Sequence, residues 1–114
     1  MSKEQTKFNW DKAPIICNLN GTNWILGPEA DEELDWKSAK AWCTSVGGEL
    51  PPREILLLAS MNQATSDWFG VRTYWSSSEL SATTAWFQTF SNSTHNFNYK
   101  TSNYYVRAVR RVDI

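Results

Sequence analysis

The rhythm of hydrophobic and polar positions changes twice along the chain. In "IICNLNGTNWIL", residues 15–26, two apolar runs flank Asn20-Gly21. Asn-Gly accepts the positive backbone angles of a tight turn, so a hairpin is predicted, with Ile15 and Ile16 leading in and Trp24 to Leu26 returning. Gly27 and Pro28 break the second strand, and acids at 29–33 follow. "LDWKSAKAWCTSVGG" then switches to helical spacing, with Trp36, Ala39, Cys43 and Val46 on one face. Asp35 is placed to cap the first turn, and the preceding acids suit the positive end of the helix dipole. Gly47 and Gly48 predict a left-handed stop. "LPPREILLLASM" predicts a second, shorter helix with Pro52 in its first turn, where no backbone donor is needed. Ile55, Leu58 and Ala59 form its expected stripe, broadened by Leu57 and Met61, so it is expected to be largely buried.

After a loop, "NQATSDWFG", the spacing falls to two. "RTYWSS", "TAWFQTF", "HNFNYK" and "YYVRAVRRV" are short, aromatic or β-branched, and separated by Ser/Thr/Asn turns. They read as antiparallel strands of a meander. Trp86, Gln88 and Phe90 share one face of their strand, and Ala85, Phe87 and Thr89 the other. His95, Phe97 and Tyr99 alternate with Asn96, Asn98 and Lys100, and the aromatic side is assigned to the core, the polar side to solvent. Trp36, Trp75 and Trp86 are the expected core tryptophans. A hairpin, two helices and a meander make an α+β domain over 14–114, preceded by an arm at 1–13. Phe8 and Trp10 are too apolar for a free arm and are expected to dock on the domain or on a neighbouring subunit.

A length of 114 residues suits one domain with one core. With 41% hydrophobic and 20% charged residues, the chain belongs to globular rather than disordered material. Seven Trp, five Phe and four Tyr exceed what one small core needs, which puts some at a surface. A net charge of −1 argues against nucleic acid and against a polybasic membrane anchor. No apolar run approaches the ~20 residues of a membrane span. "MSKEQTKFNWDKAP" carries no apolar signal segment, so synthesis is expected in the cytoplasm, with any external role reached by lysis or by incorporation into a particle. Cys17 and Cys43 are then expected as free thiols, Cys43 acting as a small hydrophobe.

Catalytic chemistry finds little support. A serine nucleophile in "YWSSSE" needs a base, the chain has one histidine, His95, and the Gly-x-Ser-x-Gly elbow is absent. The segment reads as a core strand with Tyr74 or Trp75 inward, tied off by the serines and Glu79. Asp67, Glu79 and Asp113 are isolated, so no acid–base pair is expected. One histidine and no CxxC argue against a metal, and the acids from Glu29 to Asp35 read as a helix lead-in rather than a calcium site. No catalytic residue and no cofactor is expected. Residues 91–104, "SNSTHNFNYKTSNY", have the composition of adaptable contact surfaces, in which aromatic rings stack on sugar faces and Asn side chains bond hydroxyls. The same composition also makes plain soluble β-turns.

Taken together, "LDWKSAKAWC", "GGELPPREILLL", "YWSSSE", "AWFQTF" and "YYVRAVRRV" resemble the Lcl C-terminal domain family over roughly residues 20–112. That family is found at the end of a collagen-like bacterial adhesin and in bacterial and phage proteins of unknown function. The resemblance implies a C-type-lectin-like fold akin to the formylglycine-generating-enzyme superfamily. The family's usual Trp-Arg-Leu-Pro-Thr run is replaced by "GELPPRE", with Pro52 where a Thr cap would stand, so the start of that helix is expected to differ. The superfamily's enzymes use cysteines late in the chain. None follows Cys43, so that chemistry does not carry over. The Glu-Pro-Asn and Trp-Asn-Asp calcium signatures of C-type lectins are absent too. What the resemblance implies is non-catalytic binding by a phage virion protein, a tail or capsid-decoration subunit engaging a host-surface glycan or protein. Other virion subunits would be held through Phe8 and Trp10, with a homo-oligomer as one arrangement. Binding is expected on the polar face of the final strands, at Gln88, Asn96, Asn98, Lys100 and Tyr104, with Trp68 in the 62–72 loop as a further contact. The competing readings are a purely structural assembly subunit and a cytoplasmic protein-binding regulator.

Overall fold

The computed structural model describes residues 8–113 and has an α+β architecture of two three-stranded antiparallel sheets and three helices. The first sheet has the order β1 (Ile15–Leu19), β2 (Thr22–Glu29), β6 (Arg107–Asp113). The second is a meander of β3 (Thr73–Glu79), β4 (Thr84–Thr89) and β5 (Thr94–Tyr99). Between them in sequence lie α1 (Trp36–Ser45), α2 (Arg53–Met61) and α3 (Gln63–Phe69).

Local signals act where the sequence places them. Asn20 and Gly21 take φ of 54° and 83°, the two positive angles of a tight hairpin. The Asp35 side chain accepts from the Ser38 N–H at 2.8 Å, and those bonds to Ser38 hold its carboxyl below the usual range. α1 ends in a Schellman arrangement. The N–H of Gly47, at φ 85°, donates to Thr44 O, and that of Gly48 to Cys43 O.

Two apolar clusters divide the core. One joins Ile16, Trp24 and Leu26 to Ile55, Leu56, Phe69, Tyr74, Phe90 and Val109. The other joins Trp36, Ala39 and Cys43 to Trp75, Ala85, Val106 and Ala108. The second sheet lies between them, so Tyr74 and Trp75 are both fully buried, on opposite faces, rather than only one of them. Cys17 and Cys43 are free, and burial together with the charge of Glu49 pushes the Cys43 thiol up to about 12.

The structure corrects the sequence reading at several points. The closing strand does not extend the meander; β6 pairs with β2, Leu26 opposite Val109, and joins strands about 85 residues apart into one sheet. Residues 63–69 form a helix, anchored by buried Phe69 and stopped by Gly70 at φ 74°. α2 is rotated from its expected face: Ile55, Leu56, Ala59 and Ser60 are buried, whereas Leu58 and Met61 are exposed. A nearly unbroken aliphatic run carries no polar mark to show which side turns inward. Trp86 is partly exposed, not core. Phe97 and Tyr99, assigned inward, are 46% and 62% exposed, because they stand on β5, the edge strand of the sheet.

Of the arm, residues 1–7 lie outside the described residues. Trp10 docks on the domain, its indole donating to Val46 O at 3.0 Å beneath the Arg110 guanidinium, with Phe8 edge-on to it. Gly27 and Gly48 make room for this ring: a Cβ on Gly27 would come 2.2 Å from it.

Candidate functional site

"YWSSSE" turns out to be a device for positioning. After Trp75, β3 loses register with β4 and bulges through its serines, which breaks the ladder and leaves their polar groups to bond other elements. The Ser76 hydroxyl donates to Trp86 O at 2.7 Å and accepts from Ser78 N–H. The Ser77 N–H donates to Pro51 O, and Ser78 Oγ accepts from Arg53 N–H at 3.0 Å. The bulge thereby fixes the start of α2 against β4. Trp36 and Trp75 brace the same region, their indoles donating to Ser76 O and Leu34 O at 2.9 Å each.

Held there, the Arg53 guanidinium sits over Trp86, its central carbon 3.7 Å from the ring centroid. Trp86 is flanked on the same face by its cross-strand partner Phe97, with ring centroids 5.6 Å apart, and by His95 at 5.8 Å. Tyr99 continues the row by strand alternation. Arg53, Glu54, Leu57 and His95 line a cleft of about 280 Å³ beside it. An open row of aromatic rings next to a cation, an acid and an imidazole can stack on a flat apolar surface while bonding polar groups at its margin.

The residues expected to bind are mostly engaged elsewhere. Gln88 is a correction: it is buried against α2, 2% exposed, with Nε2 3.4 Å from Ser60 Oγ and Oε1 without a partner among the described residues. Asn98 Oδ1 accepts from Tyr99 N–H at 2.7 Å, and its Nδ2 donates to the Tyr104 hydroxyl. Tyr104 packs on Trp75 and Phe87. Lys100 donates to Glu79 at 2.6 Å and to Ala82 O while lying over Trp36, and this lowers the Glu79 pKa. Asn96 is exposed but accepts from Phe97 N–H at 2.8 Å. Trp68 is partly exposed at the end of α3, away from this group in sequence and sheet. The structure thus joins Asn98 to Tyr104 and sets the open aromatic row on the opposite side of β5. Alternation separated those sides correctly; that Tyr104 would meet the asparagine side was not marked in the sequence. Arg53 was missed because its stacking on Trp86 spans the chain.

A second polar centre is structural. The Glu29 carboxylate pairs with Arg72 and with Arg107 at 3.5 Å, and the Tyr74 hydroxyl lies 2.7 Å from it. Arg107 and Tyr74 also reach Trp68 O and Phe69 O, which caps the end of α3. Burial raises the Tyr74 pKa, with Glu29 adding to it, and lowers that of Arg107, with Glu29 opposing. Among the described residues no three His, Cys, Asp or Glu side chains stand close enough to hold a metal ion, and no helix is long and apolar enough to cross a membrane. Comparison with protein-family models found no match, and neither did comparison with curated proteins.

Proposed function

We propose that the chain is a non-catalytic binding module of C-type-lectin-like type that meets its ligand on the face of β4 and β5 beside the start of α2. The observation carrying this reading is the open row of Trp86, His95, Phe97 and Tyr99, with Phe97 and Tyr99 about half exposed or more. A small domain gains nothing in stability from large rings left in water, whereas rings grouped on one face supply contact area at little entropic cost. The ligand is a host-surface glycan or protein, and the resemblance of the sequence to a phage-rich family favours a virion tail or decoration subunit as its setting. The test is attachment of the purified protein to host cells. Phe97→Ser with Tyr99→Ser should lower attachment at least tenfold while the melting curve stays close to the parent's. Attachment equal to the parent's overturns the site.

One observation favours the structural alternative. The outer face of the first sheet leaves Ile15 and Val112 54% and 41% exposed beside a cleft of about 290 Å³ that Trp10 also lines. A subunit held by its neighbours would bury such a face.

A further inference from the structure

Arg72, Arg107 and Arg111 each pair with a carboxylate, and Arg110 donates twice to Gly47 O. Arg53 has no such acceptor among the described residues. Its backbone is pinned by Ser78 and its guanidinium is held by the Trp86 ring at 3.7 Å. Stacking occupies the faces of a guanidinium and leaves the N–H donors, which lie in its plane, free to bind. A guanidinium already fixed in position loses little further freedom when it engages a planar anion through two parallel bonds. The cleft beside it is small, and Glu54 and His95 share its lining. Glu54 repels a densely charged polymer but accepts hydrogen bonds from hydroxyls, so the cleft suits one negative group on a neutral, hydroxylated ring. Trp86 and Phe97 supply the surface on which that ring lies.

We infer that the face takes a sugar bearing a single carboxylate, of the uronic or sialic type, with the carboxylate on Arg53, ring hydroxyls on Glu54 and His95, and the sugar face on Trp86 and Phe97. This rests on the proposed binding face and adds the ligand's charge.

The experiment follows the Trp86 indole N–H signal by NMR while sialyllactose, lactose, methyl glucuronide and methyl glucoside are titrated in turn. The two carboxylated sugars should move the signal saturably, and the two neutral ones at least tenfold more weakly. Arg53→Gln should abolish the difference between acid and neutral sugars without shifting the melting curve. Arg53→Lys, which keeps the charge but loses the fork, should recover only part of it. Equal response to acid and neutral sugars, or an unchanged response in Arg53→Gln, overturns the carboxylate assignment. If no sugar moves the signal but the Phe97/Tyr99 variant still loses cell attachment, the binding face stands and the acidic sugar is overturned. If that variant also attaches normally, both fall.

Discussion

Pro52 occupies the N-cap of α2 with no side chain that accepts a backbone hydrogen bond, and the Arg53 N–H turns instead to the Ser78 hydroxyl, 3.0 Å away. A cap normally comes from the adjacent residue. Here it comes from a bulge 25 residues later in the chain. Removing a capping hydroxyl typically costs about 1 kcal/mol. Ser78→Ala should lower stability by about that amount in urea denaturation, and Ser78→Thr should restore most of it. A loss within about 0.2 kcal/mol would show that the Arg53 N–H is as well satisfied by water. The serine run was legible as a strand end tied off by hydroxyls. That it also caps a helix was not legible, because the helix start and the bulge meet only in three dimensions.

At the scale of the strand, β5 meets the problem of an exposed edge with its own asparagines. The Phe97 and Tyr99 N–H groups point away from β4, and the preceding side chains, Asn96 and Asn98, accept from them at 2.8 and 2.7 Å. Unpaired edge donors are a template for pairing with another chain, and occupying them blocks it. Asn96→Ala combined with Asn98→Ala should therefore self-associate at concentrations where the parent does not, as read by light scattering across a dilution series. A scattering profile identical to the parent's would remove the protective role. Alternation in "HNFNYK" separated aromatic from polar side chains correctly, but it could not say that the polar side is spent on the strand's own backbone. The helices divide similarly. α1 was readable because its cap, its spaced apolar residues and its glycine stop agree. The face of α2 was not, because its aliphatic residues offer several equivalent stripes. α3 was not, because its packing rests on one buried ring, Phe69.

Over the whole molecule, closure depends on contacts between segments far apart in sequence. β6 pairs with β2, and Trp10 seals the same sheet by lying over Gly27 and Gly48 below Arg110. A Cβ on Gly27 would stand 2.2 Å from the Trp10 ring and 2.9 Å from Ala108 O. Gly27→Ala should displace the indole and cost about 1–3 kcal/mol, the usual range for overpacking. In a Trp10→Ala background the same change should cost distinctly less, since only the Ala108 contact then remains. Chemical denaturation of the four proteins gives the coupling, and additive losses would show that Trp10 does not rest on Gly27.

The sequence by itself determined the local events: the Asn20-Gly21 hairpin, the Asp35 cap, the Gly47 stop, the alternating strands and the α+β class. Each depends on backbone angles or hydrogen bonds within a few residues, which side-chain type controls directly. Tertiary structure alone decided which sheet β6 joined, which side of α2 and β5 was covered, and that Arg53 settled on Trp86. Those outcomes rest on which surfaces pack together once the chain closes. Both faces of an aromatic strand, or several faces of an aliphatic helix, can bury apolar area; only the position of the neighbouring elements selects one.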